Sequence, residues 1–279
     1  MTAAELLAEA AAELSATSDS PRLDAELLLA EALGRSRTWL RTWPEATVEE
    51  PAAARFRAWI ARRAGGEPVA YLLGRTGFHA IDLTVTPATL IPRPETEELV
   101  ERALALGGEG IRVLDIGTGS GAIALALATA RPDWRVAATE TSPEALAVAR
   151  ANAAERGLDR VELRAGDLFA DLEGPWDLIV SNPPYVAADD PHLDQGDAAF
   201  EPRAALAAGP DGLDCLRRLT AEARTRLAPG GWLLVEHGYD QGPAVRELLT
   251  AAGLGQVATH RDLAGQERLT EGRLVDPVD

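Results

Sequence analysis

No lysine occurs in this sequence. All 27 basic side chains are arginines, set against 44 carboxylates for a formal net charge of −17. The imbalance is uneven: residues 1–75 hold 11 acidic side chains and 9 arginines, whereas residues 76–279 hold 33 and 18, a net of −15. Duplex binding relies on clustered positive charge that releases counterions. This field therefore argues against direct nucleic-acid binding and is compatible with a basic protein partner. Cysteine is almost missing as well. Cys215 alone rules out an internal disulfide framework and fits a reducing compartment. It shares a helical pattern with Leu213, Leu216 and Leu219, which predicts a packed thiol and not a nucleophile. The four histidines, His79, His192, His237 and His260, are not at metal-ligand spacing, so no metal is expected. No apolar run approaches the ~18 residues a membrane span needs. Met1 to Leu14 is acidic and amphipathic, without the basic start and apolar centre of a signal peptide, and a cytoplasmic location is expected. Internal repeats and low-complexity tracts are absent.

What is present, 46% hydrophobic residues over 279 positions, allows one large domain and a small one. The first 75 residues read as short helices forming a small bundle. Leu6, Leu7, Ala10 and Leu14 share one face. Ser20-Pro21 is a cap and first-turn start for a helix burying Leu23, Leu27 and Leu28 and stopping near Gly34. Phe56, Trp59 and Ile60 form a third stripe, closed by Gly65-Gly66. Between Gly74 and Leu90 the period changes to that of a two-stranded connector, assigned to residues 76–93 and ended by Pro92-Arg93-Pro94. From residue 94 to 279, strands alternate with helices. Strands are predicted at Ile111–Asp115, Arg135–Thr139, Val161–Arg164, Asp177–Val180 and Trp232–Glu236. Helices are predicted at Glu95–Leu106, Ala122–Thr129, Ser142–Arg156, Leu213–Leu227 and Ala244–Ala251. Gln256–Arg261 and Glu267–Leu274 can close the domain as an antiparallel pair. That alternation predicts an α/β fold with a doubly wound parallel sheet, whose ligands bind at the carboxyl ends of the strands.

Two such strand ends carry the chemistry. Asn182-Pro183-Pro184-Tyr185 follows the apolar run Leu178-Ile179-Val180. Two prolines cannot donate to a ladder, but they make a stiff loop with both φ angles fixed. Such a loop can present the Asn182 amide and the Pro183 carbonyl beside an aromatic ring. That arrangement suits a planar nitrogen bearing two N–H groups, either a carboxamide or the exocyclic amine of a base. The second is Asp115-Ile116-Gly117-Thr118-Gly119-Ser120-Gly121, where a strand gives way to a helix. Its glycines permit sharp turning and close approach, but it is neither the dinucleotide pattern nor a phosphate loop with lysine. Asp115 at the strand end disfavours a phosphate and suits the ammonium of S-adenosylmethionine. Glu140, closing the next strand, can take both ribose hydroxyls. Asp167 and Leu168, after the third strand, sit where an adenine would lie.

Together these segments resemble the class I S-adenosylmethionine methyltransferases. One family is especially similar: the peptide chain release factor glutamine N5-methyltransferases, the PrmC/HemK family. The resemblance rests on Gly66-Glu67-Pro68-Val69-Ala70-Tyr71, on Leu90-Ile91-Pro92-Arg93-Pro94-Glu95-Thr96-Glu97, and on the Gly117–Gly121 loop. It extends through Ser181–Tyr185, Asp190-Pro191-His192, Phe200-Glu201-Pro202 and Glu236-His237-Gly238, in the same order over nearly the whole chain. It implies a Rossmann-like seven-stranded sheet behind an N-terminal helical domain that grips the substrate. The implied reaction is N5-methylation of the glutamine in the Gly-Gly-Gln motif of bacterial class I release factors, with S-adenosylhomocysteine as product. A monomer is expected. Asn182, Pro183 and Tyr185 would be catalytic, and Asn182 to Tyr185 would hold the substrate. Asp115, Gly117, Thr118, Gly119, Ser120, Gly121, Glu140, Asp167, Leu168 and Asn182 would hold the cofactor. Glu140 stands where the family usually has aspartate, and Gly77-Phe78-His79 departs from the usual acidic and aromatic pattern there.

Overall fold

A computed structural model describes residues 1–169 and 172–275. The chain divides into two units, one of Met1–Arg75 with Asp194–Phe200, the other of Thr76–Leu193 with the chain from Glu201 onward. None of its described helices is long and apolar enough to cross a membrane.

The first unit is built from helices α1 (Ala3–Leu14), α2 (Pro21–Leu33), α3 (Arg37–Thr42), α4 (Glu50–Ala64) and α5 (Val69–Leu73). Thr2 and Glu5 form a reciprocal cap at the start of α1, with the Glu5 N–H donating to Thr2 Oγ1 and the Thr2 N–H to Glu5 Oε2. The core gathers Leu6, Leu7, Leu14, Leu28, Leu29, Phe56 and Ile60. Leu23, expected inside, is instead 39% exposed, and Leu27 is half-buried. The helix turns Asp24 and Glu26 inward, each 5% exposed. Arg63 Nε donates to Asp24 at 2.7 Å, while Arg37 and Arg41 both donate to Glu26 at 3.0 Å. A pattern of apolar residues cannot register a face made of paired charges, which is why α2 is rotated from its expected orientation. Arg63 also donates to Asp197 at 3.2 Å, tying the Asp194–Phe200 segment into this unit. The Phe200 ring lies against Gly66, where a Cβ would come within 3.0 Å of it.

The second unit opens with the hairpin β1 (Arg75–Phe78) and β2 (Ile81–Thr84), followed by α6 (Thr96–Leu106). Next come β3 (Arg112–Ile116), α7 (Ala122–Ala130), β4 (Arg135–Glu140), α8 (Pro143–Glu155), β5 (Glu162–Ala165) and β6 (Trp176–Ser181). Two short 3₁₀ turns and the four-residue α9 (Arg203–Leu206) fill the stretch after β6, ahead of α10 (Asp214–Arg226). The unit ends with β7 (Leu227–Glu236), α11 (Gly242–Ala251), β8 (Gly255–Arg261) and β9 (Glu267–Arg273). The seven-stranded sheet has the order β5-β4-β3-β6-β7-β9-β8. Five strands are parallel; β9 runs antiparallel between β7 and β8. Side chains alternate between faces. Val113, Leu178, Val180 and Leu234 join the core beneath α6 and α7, while Leu114, Ile179, Leu233 and Val235 join the one beneath α10 and α11. Each such buried side chain stabilises the fold by about 1.5–3 kcal/mol, so the strand ends that carry the site are firmly seated. β7 begins five residues earlier than the pattern predicts, since Leu227 pairs with Trp176 and an irregularity near Leu178 absorbs Pro229-Gly230-Gly231.

Candidate active site

The carboxyl ends of β3, β4 and β6 meet at one cavity of about 490 Å³. The loop after β3 turns back at once, with the N–H groups of Gly117 and Thr118 both donating to the Thr139 carbonyl of β4. Gly119 has φ +58° and nothing within 4 Å of where a Cβ would stand. Its backbone is therefore bare toward the cavity that it lines. Gly121, φ +89°, is pressed from behind: a Cβ there would meet Leu125 at 2.9 Å. Asn152, fully buried on α8, donates to the Ser120 carbonyl at 2.8 Å and exchanges two hydrogen bonds with Thr84 of the hairpin. The hairpin and the glycine loop are thus held by one side chain, a link that no local sequence signal announces.

Asp115 lies beneath this loop and not on the cavity wall. Oδ2 accepts the Thr118 hydroxyl at 2.6 Å and the Ala124 N–H at 3.2 Å, while Oδ1 is buried without a hydrogen-bond partner among the described residues. Burial pushes its pKa up to about 7, opposed by those two hydrogen bonds and reinforced by the nearby charge of Glu140. Glu140 does line the cavity. Its Oε2 accepts the Gly119 N–H at 2.8 Å and its Oε1 the Ser142 N–H at 2.9 Å, so it joins the glycine loop to the start of α8. Thr118 and Ser120 face a smaller neighbouring recess shared with Thr96 and Asn182. Asp167 and Leu168 line the cavity's far side. Asp167 is paired there with Arg218 of α10, and Leu168 (φ 48°) is mostly packed in the core, its carbonyl accepting the Thr139 hydroxyl at 2.6 Å.

Asn182, Pro183 and Pro184 form the wall next to the glycine loop. Ser181 anchors them, its hydroxyl donating to the Ile116 carbonyl at the end of β3. Asn182 Nδ2 donates to Thr96 Oγ1 at 3.1 Å. That leaves Asn182 Oδ1 and the Pro183 carbonyl as acceptors with no donor among the described residues. Tyr185 stands outside the cavity lining: its hydroxyl donates to Glu236 Oε1 at 3.2 Å, and its carbonyl accepts from Gln241 Nε2 at 2.9 Å. Burial raises the Tyr185 pKa well above the usual phenol range. Sequence reasoning passed over other parts of the wall, among them Ala88, Thr89, Ala204, Ala205, Ala207, Ala208 and Arg218. Cys215 is held protonated by burial, which raises its pKa. Glu201 is buried, accepts the Ile91 N–H at 2.9 Å and pairs with Arg93, which pins the segment before α6.

The arrangement fits a ligand of mixed character. A buried carboxyl with an orphaned oxygen underlies the loop, a second carboxylate stands at the end of β4, and apolar surface lies beyond it. Ammonium, diol and flat ring match those features in that order.

Asp115 and Glu236 both have pKa values raised to about 7, chiefly by burial. Unfolded, each would titrate near 4. Between about pH 4 and 7 the folded chain keeps protons that the unfolded chain has released, so each group's contribution to stability is lost as pH rises through that window. The slope is up to about 1.4 kcal/mol per pH unit for each group. His237, lowered by burial, works in the opposite direction below its usual value. We expect the melting temperature of the ligand-free protein to fall from pH 5.5 to 7.5, and Asp115→Asn to flatten that fall. A melting temperature that rises over this range, unchanged by Asp115→Asn, would contradict the assignment.

Residues 5–74 match the PrmC N-terminal domain, and residues 96–212 match the methyltransferase small domain. The chain is 56% identical over 258 residues to the release factor glutamine methyltransferase of Pseudomonas aeruginosa, spanning 92% of this chain and 94% of that one. It is 53% identical over 262 residues to the release factor glutamine methyltransferase of Xylella fastidiosa strain 9a5c, spanning 93% and 95%. Among solved structures, a methyltransferase from Pyrococcus furiosus is similar with a TM-score of 0.56 at 21% identity, over 78% of this chain and 99% of that one, a likeness of fold alone.

Proposed function

Because the chain belongs to the release factor glutamine methyltransferase family, we propose that it moves the methyl group of S-adenosylmethionine onto the side-chain nitrogen of the Gly-Gly-Gln glutamine in bacterial class I release factors. The observation that carries this reading is the pair of open acceptors, Asn182 Oδ1 and the Pro183 carbonyl, beside a cavity with a glycine loop and Glu140. Gly117 to Gly121 hold the amino acid end of the cofactor above Asp115. Glu140 takes the ribose diol, and Asp167 and Leu168 flank the adenine. S-adenosylmethionine, when bound, supplies a methyl group already activated on a sulfonium.

The protein's task is orientation and electrostatics. An amide nitrogen is a poor nucleophile because its lone pair is delocalised into the carbonyl. Asn182 Oδ1 and the Pro183 carbonyl each accept one of its N–H groups. Both hydrogen bonds strengthen as the nitrogen gains positive charge, so they stabilise the transition state more than the ground state. The two prolines keep these acceptors in place with little freedom left to lose. Tyr185 fixes the far end of the loop and with it the plane in which the amide sits. No strong base is needed, since a protonated amide nitrogen gives up its proton readily. The helical unit grips the release factor away from the reacting loop. The enzyme works as a monomer in the cytoplasm, without membrane or nucleic-acid partners.

Labelled S-adenosylmethionine, incubated with purified release factor and mapped by mass spectrometry, tests the reading. The label is expected on the Gly-Gly-Gln glutamine of the intact factor, weakly on a short Gly-Gly-Gln peptide, and not on duplex DNA. Efficient labelling of adenine in DNA or RNA, with the release factor untouched, would overturn it.

A further inference from the structure

From Arg35 to Trp43 the chain carries three arginines, two tryptophans and no carboxylate, although its net charge is −17. Guanidinium groups from two helices converge there on one buried carboxylate, Glu26 of α2. Arg22 of α2 donates to Oε1 at 3.2 Å. Arg37 of α3 donates to Oε2 through Nε and Nη2, at 3.2 and 3.0 Å, and Arg41 of α3 donates to the same oxygen at 3.0 Å. One arginine would neutralise Glu26, and Arg37 alone already gives it two hydrogen bonds. Two positive charges are left over. The Arg22 and Arg41 side chains are 56% and 64% exposed, and their other nitrogens have no acceptor among the described residues. Arg35 adds a further charge, its guanidinium 5.6 Å from the centre of the Trp39 ring.

Trp43, two residues beyond Arg41 at the end of α3, is 51% exposed. Its backbone is pinned all the same. The Trp43 N–H donates to the Trp39 carbonyl at 2.9 Å, and the Trp43 carbonyl accepts from the Ala46 N–H. The carbonyls of Pro44 and Ala46 in turn accept the Ala4 and Ala3 N–H groups at the start of α1. An indole left in water on a rigid turn, close in the chain to unspent guanidinium donors, has the make-up of an interface centre, where tryptophan and arginine dominate binding energy. Glu26 aligns the guanidinium planes before any partner arrives, so less side-chain freedom is lost on binding.

Guanidinium forks match carboxylates and phosphates. A polyphosphate would meet the field of a chain with a net charge of −17 along its whole length. A folded protein with one acidic segment brings far fewer charges into that field. We propose that Arg22, Arg37 and Arg41, held around Glu26 and flanked by Trp43, form a docking surface on the helical unit for an acidic segment of the release factor, one of whose apolar side chains covers Trp43. This deepens the reading of the release factor as substrate and rests on it. The partner is then bipolar: a basic reacting loop suits the acidic methyltransferase unit, and an acidic segment elsewhere suits these arginines.

The test is steady-state methylation of purified release factor by the full-length chain. Three variants stand beside the unaltered enzyme: Arg22→Glu with Arg41→Glu, Arg22→Gln with Arg41→Gln, and Trp43→Ala. All of them keep Arg37 on Glu26. Charge reversal is expected to raise KM for the release factor by roughly 10-fold or more, and neutralisation by less. Trp43→Ala should raise it by roughly 5- to 30-fold, the range of an interface hot spot. Turnover at saturating release factor and S-adenosylmethionine affinity should be unchanged. The melting temperature should change little, because exposed ion pairs contribute little to stability. Added salt should raise KM more steeply for the unaltered enzyme than for the charge-reversed one. An unchanged KM on charge reversal or in Trp43→Ala, with the release factor still methylated, overturns this inference alone. An unaltered enzyme that leaves the release factor unmethylated overturns the reading beneath it. A labelled RNA that binds the unaltered enzyme and is lost on charge reversal, at constant KM for the release factor, would assign the surface to nucleic acid instead. Should the charge-reversed enzyme fail to fold, the neutralised one decides by the same comparison of KM.

Discussion

Asn182→Ala is expected to lower kcat by roughly 10²–10³-fold, the cost of losing one preorganised acceptor at a site of developing charge. The reasoning follows from where the side chain stands. It lines the cavity, its nitrogen is committed to Thr96, and its oxygen has no donor among the described residues. Alanine removes the oxygen and leaves the neighbouring backbone constrained by Pro183 and Pro184 and anchored by Ser181. Cofactor affinity should change little, because the glycine loop and Glu140 are tied to Thr139, Ser142 and α8 by bonds that do not involve Asn182. Single-turnover kinetics with saturated release factor separates the chemical step from binding. Turnover near that of the unaltered enzyme would show that the acceptor role belongs elsewhere.

Glu140→Ala is expected to weaken S-adenosylmethionine binding on the order of 10²-fold, with kcat much less affected once the cofactor is saturating. A hydrogen bond to a charged group contributes about 1.5–3 kcal/mol, and a tenfold change corresponds to about 1.4 kcal/mol. Losing the contacts to a ribose diol is enough to reach that range. The alanine also leaves the Gly119 and Ser142 N–H groups without their carboxylate, so the loop loses part of its preorganisation. Glu140→Gln retains one acceptor oxygen and should lie between alanine and the unaltered enzyme. Isothermal calorimetry with S-adenosylmethionine and S-adenosylhomocysteine measures this directly, with NAD and ATP as comparators. Unchanged affinity in Glu140→Ala would remove Glu140 from the site; equal or tighter NAD binding would remove the methyltransferase cofactor altogether.

The alternation of strands and helices from residue 94 onward specified a parallel sheet closed by an antiparallel pair, and the seven-stranded order bears that out. Helices opened by Ser-Pro were legible almost to the residue, as in α2 and α8. Short elements without such a start were not. α3 and α5 are five or six residues long and bury few side chains, so no period can develop. The early start of β7 through Pro229-Gly230-Gly231 was hidden because two glycines and a proline read as a turn until a neighbouring strand supplies the pairing.

The sequence by itself determined where chemistry could occur. Proline removes a donor and fixes φ, and glycine permits φ values barred to other residues. Such constraints are local, so Asn182 to Tyr185 and Gly117 to Gly121 declare themselves as soon as the preceding strands are recognised. A carboxylate at the end of a strand, such as Glu140, is legible for the same reason. Only the tertiary structure decided which way these groups face and what restrains them. Thr96 is 86 residues from Asn182, and Glu236 is 51 from Tyr185, yet these contacts orient the loop. Asp115 went beneath the glycine loop instead of into the cavity, and Asp167 found Arg218. α2 turned paired carboxylates inward where leucine was expected. Most of these outcomes depend on a hydrogen bond or ion pair between residues well separated in the chain, and that of Asp115 on the burial of its own loop. The strength of such a bond is set by burial and geometry, and neither exists until the chain has folded.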